Sequence, residues 1–316
     1  MQPRTIICVT PNVALDRTMM VPDFAIGRIS RIGGAIAVPG GKGLNVLRAV
    51  EILGGRALAM GLLGGHTGRM IAAMVAEGGY RAQWTRFAGE TRTCTIIANE
   101  EGVSTVINES GKIEPGDWHA LADDIRTAAT NEDIAAVCLC GSLPDGAPDD
   151  APTQLISQIN ELGVPVWVDS SGLWLANAIA AKPYAIKVNS DEFRSALGRD
   201  LPATRDIINA ARKLVRGGIR TVIISLGAAG ALLVTNELVA QAVPPAIQAV
   251  DPIASGDCLH AGMVTALAAG ATPEQALRRG VAAGAVNALY AGGAQFPYSH
   301  YQRILTQTQL NILQNV

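Results

Sequence analysis

Asp251-Pro-Ile-Ala-Ser-Gly-Asp257 runs directly into Cys258-Leu-His-Ala-Gly-Met-Val-Thr-Ala-Leu267, joining a turn of small residues to an amphipathic helix with a carboxylate at the junction. The first backbone N–H groups of a helix have no partner within it and lie at the positive end of its dipole. Ala254, Ser255 and Gly256 are small enough for that backbone to close on a phosphate. A carboxylate inside such a cradle suits phosphoryl transfer to an alcohol. The amides hold the phosphate charge, and the Asp accepts the hydroxyl proton. The same Gly-Asp pair also serves as an ordinary helix N-cap, so the stretch alone leaves both readings open.

Outward from this junction, short apolar runs alternate with helical patterns. Strands are expected at Thr5–Val9, Ala57–Gly61, Ala135–Cys140, Val164–Asp169, Ala185–Val188 and Thr221–Ser225. Helices are expected near Gly43–Leu53, Gly68–Glu77, Trp118–Ala129, Ala151–Leu162, Asp191–Leu197, Arg205–Val215, Cys258–Ala269 and Thr272–Leu289. The alternation predicts an α/β chain with a three-layer, doubly wound, mostly parallel sheet, its ligand lying beyond the carboxyl ends of the strands. Two segments, Met19–Val38 and Arg92–Ile107, carry strand patterns with no helix of their own. The second reads as a hairpin around a Glu-Glu-Gly turn. One domain over residues 1–316 is expected, with a small discontinuous β lid at about 12–38 and 90–108.

Of the 316 residues, 49% are hydrophobic, 16% charged and 4% aromatic. Such an aliphatic core fits helices layered on a buried sheet. A net charge of −2 provides no basic field for nucleic acid or an anionic membrane. The five cysteines form no paired framework, and Cys138 and Cys140 alternate in an apolar run as buried strand residues do. The four scattered histidines argue against a zinc site. Ile6-Ile7-Cys8-Val9 reads as a first strand rather than part of a signal peptide. No apolar run approaches the ~20 residues of a membrane span, and a cytoplasmic chain is expected.

Four further stretches carry chemistry. Pro39-Gly-Gly-Lys-Gly-Leu-Asn45 brings Gly40 and Gly41 to a helix start with the cation of Lys42 and the amide of Asn45; it is neither a P-loop nor a dinucleotide fingerprint, and its glycines also suit a simple turn. Asp16, in Asn12-Val-Ala-Leu-Asp16 after the first strand, is placed to accept two sugar hydroxyls, or to cap a turn. Asn189 and Glu192 open a helix after a strand. They suit water-mediated Mg²⁺ binding, and equally a capping box. Ser225-Leu-Gly-Ala-Ala-Gly230 allows close approach of a nucleotide, or a turn into Ala231–Val234.

Individually these are modest signals, but their order is specific. Asp16, Gly-Gly-Lys-Gly-x-Asn, Gly-Ser-Leu-Pro at 141–144, Val-Asp-Ser-Ser-Gly at 168–172, Asn-x-x-Glu, Ser-Leu-Gly-x-x-Gly and Ala-Ser-Gly-Asp succeed one another along the chain. The series resembles the ribokinase-like sugar kinases of the phosphofructokinase B family over essentially its full length. Thr-Pro-Asn-Val-Ala-Leu-Asp-Arg-Thr at 10–18 and Pro-Gly-Gly-Lys-Gly-Leu-Asn-Val at 39–46 look most like its phosphohexose branch, which includes 1-phosphofructokinase and tagatose-6-phosphate kinase.

The resemblance implies ATP-dependent phosphorylation of a phosphorylated ketohexose: fructose 1-phosphate, tagatose 6-phosphate or fructose 6-phosphate. Asp257 would be the general base, and the amides of Ala254, Ser255, Gly256 and Asp257 the anion hole. Asp16, Gly40, Gly41, Lys42 and Asn45 would hold the sugar, with Ser142 nearby. Arg92, and secondarily Arg28 and Arg31, would meet the substrate phosphate. Lys187, Asn189, Ser225, Gly227 and Gly230 would lie along ATP, Asn287 would border the adenine, and Asn189 and Glu192 would serve Mg²⁺. A homodimer through the β lid is also implied. The alternatives are a kinase for an unphosphorylated sugar or nucleoside, and a non-catalytic sugar-phosphate sensor. Ala254 and Ser255 depart from the family's usual Gly-Ala-Gly-Asp. Ordinary backbone geometry is expected at Ala254, with the Ser255 hydroxyl near the phosphates. Asp251, often Asn in this branch, would add negative charge near ATP.

Overall fold

The computed structural model describes residues 3–99, 104–131 and 133–315. Strands and helices are numbered in chain order. Ten strands form one sheet in the spatial order β14 (Gln309–Asn315), β13 (Leu238–Val243), β12 (Ala231–Val234), β11 (Thr221–Ser225), β10 (Ala185–Asn189), β9 (Val166–Asp169), β8 (Ile134–Cys140), β1 (Thr5–Thr10), β4 (Arg56–Gly64) and β5 (Ala82–Phe87). From β5 to β11 every pairing is parallel. The remaining three strands continue antiparallel. The doubly wound, mostly parallel sheet expected from the sequence is therefore present.

Alternation along the central strands explains the layering. Ile6 and Cys8 of β1, with Cys138 and Cys140 of β8, pack under α1 (Lys42–Ile52), α2 (Gly65–Glu77), α8 (Ser255–Ala268), α9 (Pro273–Asn287) and α10 (Tyr298–Gln307). Ile7 and Val9, with Val137 and Leu139, face α3 (Pro115–Asn131), α4 (Ala151–Glu161), α5 (Gly172–Ala180), α6 (Ser190–Leu197) and α7 (Thr204–Arg216). Period-two alternation in strands buried on both sides supplies each helical layer with its own core.

A second sheet has the order β3 (Ile36–Gly40), β2 (Ala14–Met20), β6 (Arg92–Ala98) and β7 (Ser104–Asn108). β6 and β7 pair antiparallel as the hairpin reading requires; its Glu-Glu-Gly turn lies outside the described residues. The strand pattern expected over Met19–Val38 is corrected: strands occupy its two ends, and residues 21–35 between them contain none. Pro22, the left-handed Gly27 (φ 83°) and the Gly33-Gly34 pair interrupt pairing there. Among the described residues no helix is long and apolar enough to cross a membrane.

Candidate active site

The parallel strands end in a cleft of about 570 Å³ that the small sheet borders. β1 leads into Thr10 and Asp16, β8 into Gly141 and Ser142, and β10 into Lys187 and Asn189; α1 and α8 point their amino ends at the same space. Asp16, Gly41, Lys42, Asn45, Arg92, Ser142, Lys187, Asn189, Glu192, Ser225, Ala254, Gly256 and Asp257 thus share one cavity, although they are scattered along the chain. Gly40 backs onto this wall. A Cβ there would fall 2.2 Å from the Asp16 carboxyl, so any larger residue would displace that side chain.

A network of charges forms the floor. Asp169, fully buried at the end of β9, accepts from Lys42 Nζ at 2.8 Å and from Lys187 Nζ. Burial alone would raise its carboxyl, but the two ammonium groups pull it well below the usual range. The Asp169 carboxylate in turn raises Lys42 above its ordinary value, against burial. Lys42 also lies 3.5 Å from Glu192 Oε1. Asp257 sits in the first turn of α8, only 5% exposed, and Asn45 Nδ2 donates to its Oδ2 at 2.7 Å. Burial, then the nearby Asp169 charge, pushes Asp257 up to about 6, while Lys187, Lys42 and Asn45 oppose the shift. A carboxyl poised there is ionised at neutral pH yet basic enough to take a proton. Across the cleft, burial raises Asp16 as well, opposed by Arg48 and Arg92.

The loop before α8 differs from expectation. Ala254 adopts the left-handed conformation (φ 62°, ψ 3°), which corrects the expected ordinary geometry and strains an alanine by ~1 kcal/mol. That bend presents the helix mouth to the cleft. The Ser255 amide does not belong to a free anion hole, because it donates to Pro252 O at 3.1 Å. The amides of Ala254, Gly256 and Asp257 make no backbone hydrogen bond of this kind among the described residues. The Ser255 hydroxyl accepts from Asn287 Nδ2 at 3.1 Å. Asn287 itself is a brace: it is fully buried, donates to Ile253 O at 2.7 Å and accepts from Ala294 N at 2.8 Å. Asp251 caps the amides of Ile253 and Gly292, so its charge is held by backbone rather than turned to the cleft.

Next to this floor lies a groove of about 650 Å³, which shares Ser225 and Gly256 with the cleft. Gly227, Gly230, Val243, Ile247, Leu259, Val281, Gly284 and Ala288 line it. Ser225–Gly230 both lines the groove and turns β11 antiparallel into β12, so its two readings coexist. The same holds in part at the start of α6. Asn189 and Glu192 form a complete capping box. Asn189 Oδ1 accepts from both Asp191 N (2.9 Å) and Glu192 N (2.8 Å), which fills its lone pairs and leaves only a water-mediated approach to a metal. Its NH₂ group remains able to donate. Glu192 gives one oxygen to the cap, while Oε1 faces Lys42.

The lid arginines divide. Arg92 reaches the cleft, but its guanidinium donates to Asn12 O (3.3 and 3.2 Å) and Glu109 O (3.3 Å), tying the loop before β2 to the residue after β7. Arg28 and Arg31 are exposed in the loop between β2 and β3 and line none of this cavity, so the structure does not bring them to their own site. Asn12 Nδ2 donates to Ser142 Oγ at 3.2 Å and holds that hydroxyl at the rim.

Residues 10–299 match the pfkB family of carbohydrate kinases. The chain belongs to that family. As a pfkB kinase it is an ATP-dependent sugar kinase. It is 33% identical over 267 residues to a 1-phosphofructokinase of Rhodobacter capsulatus, covering 84% of each chain. It is 29% identical over 312 residues to the 1-phosphofructokinase of Haemophilus influenzae, covering 98% of this chain and 99% of the other. Among solved structures, phosphofructokinase-2 from Escherichia coli in complex with fructose-6-phosphate superposes with a TM-score of 0.88 at 28% identity, over 96% of this chain and 99% of that one.

Sequence reasoning gave no role to two residues that organise this pfkB site, Asp169 and Arg48. Asp169 ends an expected strand and belongs to the Val-Asp-Ser-Ser-Gly motif, but neither feature assigns its side chain a partner. Arg48 sits one turn after Asn45 on α1, and that i, i+3 spacing was the available signal. His260, fully buried on α8 with both ring nitrogens unpartnered, lies 3.8 Å from Asp169; burial lowers it, so it is neutral.

Proposed function

We propose that this kinase transfers the γ-phosphoryl group of ATP to a hydroxyl of a phosphorylated ketohexose, with fructose 1-phosphate the first candidate and tagatose 6-phosphate and fructose 6-phosphate the others. The observation that carries this reading is the single cleft lined by three carboxylates, Asp16, Glu192 and Asp257, together with the cations Lys42, Arg92 and Lys187. The 1-phosphofructokinase relatives support it.

Asp16 orients the sugar through its hydroxyls. Asp257 Oδ2 is held by Asn45, leaving Oδ1 to accept the proton of the attacking hydroxyl. The amides of Ala254, Gly256 and Asp257 lie at the positive mouth of α8 and take charge developing on the transferred group. Lys42 and Lys187, fixed by Asp169, add two cations that need no rearrangement during the reaction. The apolar groove beside Gly256 takes the nucleoside. Glu192 Oε1 would be the carboxylate oxygen that holds Mg²⁺, directly or through water. When bound with ATP, the ion neutralises phosphate charge.

The small sheet acts as a lid that excludes water from the cleft. The sheet and its loop expose Met20, Ile26, Ile29, Ile36 and Ile107, apolar surface suited to a second copy of the chain. An Ile36→Glu/Ile107→Glu variant should then run as a monomer in sedimentation; an unchanged mass would remove that assignment.

The activity is tested by ADP release with the three phosphohexoses, free fructose and ribose. One phosphohexose should exceed free fructose by at least ~100-fold in kcat/KM. Equal use of free fructose would transfer the assignment to kinases of uncharged sugars, and saturable binding without ADP release would indicate a sensor.

A further inference from the structure

Arg48 lines neither the cleft nor the groove, yet it meets three elements that shape them. Nη1 donates to Pro39 O at 3.0 Å, at the end of β3; Nε donates to Gly293 O at 3.2 Å; and Nη2 donates to Asn45 Oδ1. Gly293 itself abuts Asn45 and the strained Ala254: a Cβ there would lie 2.7 Å from Asn45 Oδ1 and 3.0 Å from Ala254 Cβ. The other end of the Asn45 amide donates to Asp257. An asparagine amide is nearly symmetric in shape but opposite in chemistry at its two ends. Turned over, it would present an oxygen to the Asp257 carboxylate. A guanidinium only donates, and its planar fork fixes direction, so it selects one orientation.

We propose that Arg48 is a positioning residue for phosphoryl transfer, fixing through Asn45 the rotamer and hydrogen bonding of Asp257. The inference rests on Asp257 being the base. Asp257 is faced by Asn45 and Lys42 from α1, Asp169 from β9 and Lys187 from β10; Arg48 stands behind Asn45, and on its own helix Cys258 adjoins it while His260 faces Asp169. Losing the Arg48–Asn45 donation removes a donor and a nearby cation from this set. The ionised base is then less favoured, and the acid limb of turnover moves to higher pH.

The test uses Arg48→Met, Arg48→Lys, Asn45→Ala and the double variant Arg48→Met/Asn45→Ala, assayed with saturating ATP and fructose 1-phosphate. Arg48→Met should lower kcat by about 30-fold with both KM values within about threefold, and shift the acid limb upward. The double variant should fall within about threefold of Asn45→Ala, because one change has already removed what the other acts through. Losses that multiply, or an unmoved acid limb, would overturn the inference. If thermal melting shows Arg48→Met unfolded, Arg48→Lys with Asn45→Ala is judged by the same non-additivity. An Asp257→Asn enzyme that keeps its turnover sinks the base itself; multiplied losses with Asp257 still required sink only the role of Arg48.

Discussion

The floor of the cleft and the groove beside it achieve binding by different means. On the floor, Lys42, Lys187, Asp169, Asn45 and Asp257 come from α1, β10, β9 and α8 and fix one another by hydrogen bonds. In the groove, aliphatic side chains and bare backbone at Gly227, Gly230 and Gly284 make the walls, and among the described residues no charged side chain lines it. A buried ion network stabilises little by itself, because desolvation offsets its attraction. Its use is preorganisation: the cations stand where charge develops before substrate arrives. The groove instead recognises shape and apolar area, which tolerates no intrusion but needs no partner.

The comparison breaks most severely at Asp169. Asp169→Asn strands two lysines, one of them almost fully buried, and should cost about 3–5 kcal/mol in denaturant unfolding. It should also move the acid limb of kcat/KM to lower pH, because the Asp169 charge is one cause that raises Asp257. An unchanged unfolding midpoint would show that the floor is not held by this carboxylate. In the groove the effect should be smaller and of another kind. Gly284→Ala puts a Cβ 2.8 Å from Ser255 O, so the loop before α8 must shift. KM for ATP should rise about tenfold, with the sugar KM within about twofold. A rise in the sugar KM instead would mean that the two halves are not separable.

Legibility followed the same division. Six of the seven parallel strands were readable as short apolar runs; β5 was not, because Ala82–Phe87 carries polar residues and leads into another strand rather than a helix. Nor was the antiparallel end readable. Gln309–Asn315 alternates polar residues at a sheet edge, and Leu238–Val243 has no helix behind it to announce a strand. Helix α5 escaped because Gly172–Ala180 is apolar almost all round and lacks a periodic face. In the site, residues carried by loops and helix starts stood out by their Gly, Asp and Asn neighbours. Asp169 and Arg48 act by touching other side chains, and linear spacing does not encode those contacts. Asn287 illustrates the converse. Its position beside the groove was legible, but the inward direction of its amide depends on packing against Ile253 and Ala294.

Phosphoryl transfer here requires a carboxylate at the electropositive end of α8 to receive the proton of the attacking alcohol. Turnover of folded Asp257→Asn, measured by ADP release at saturating ATP and fructose 1-phosphate with binding followed in parallel, tests this most directly. A loss of at least ~100-fold in kcat with sugar and nucleotide affinities retained is the predicted result. Near-normal turnover in the folded variant would contradict it.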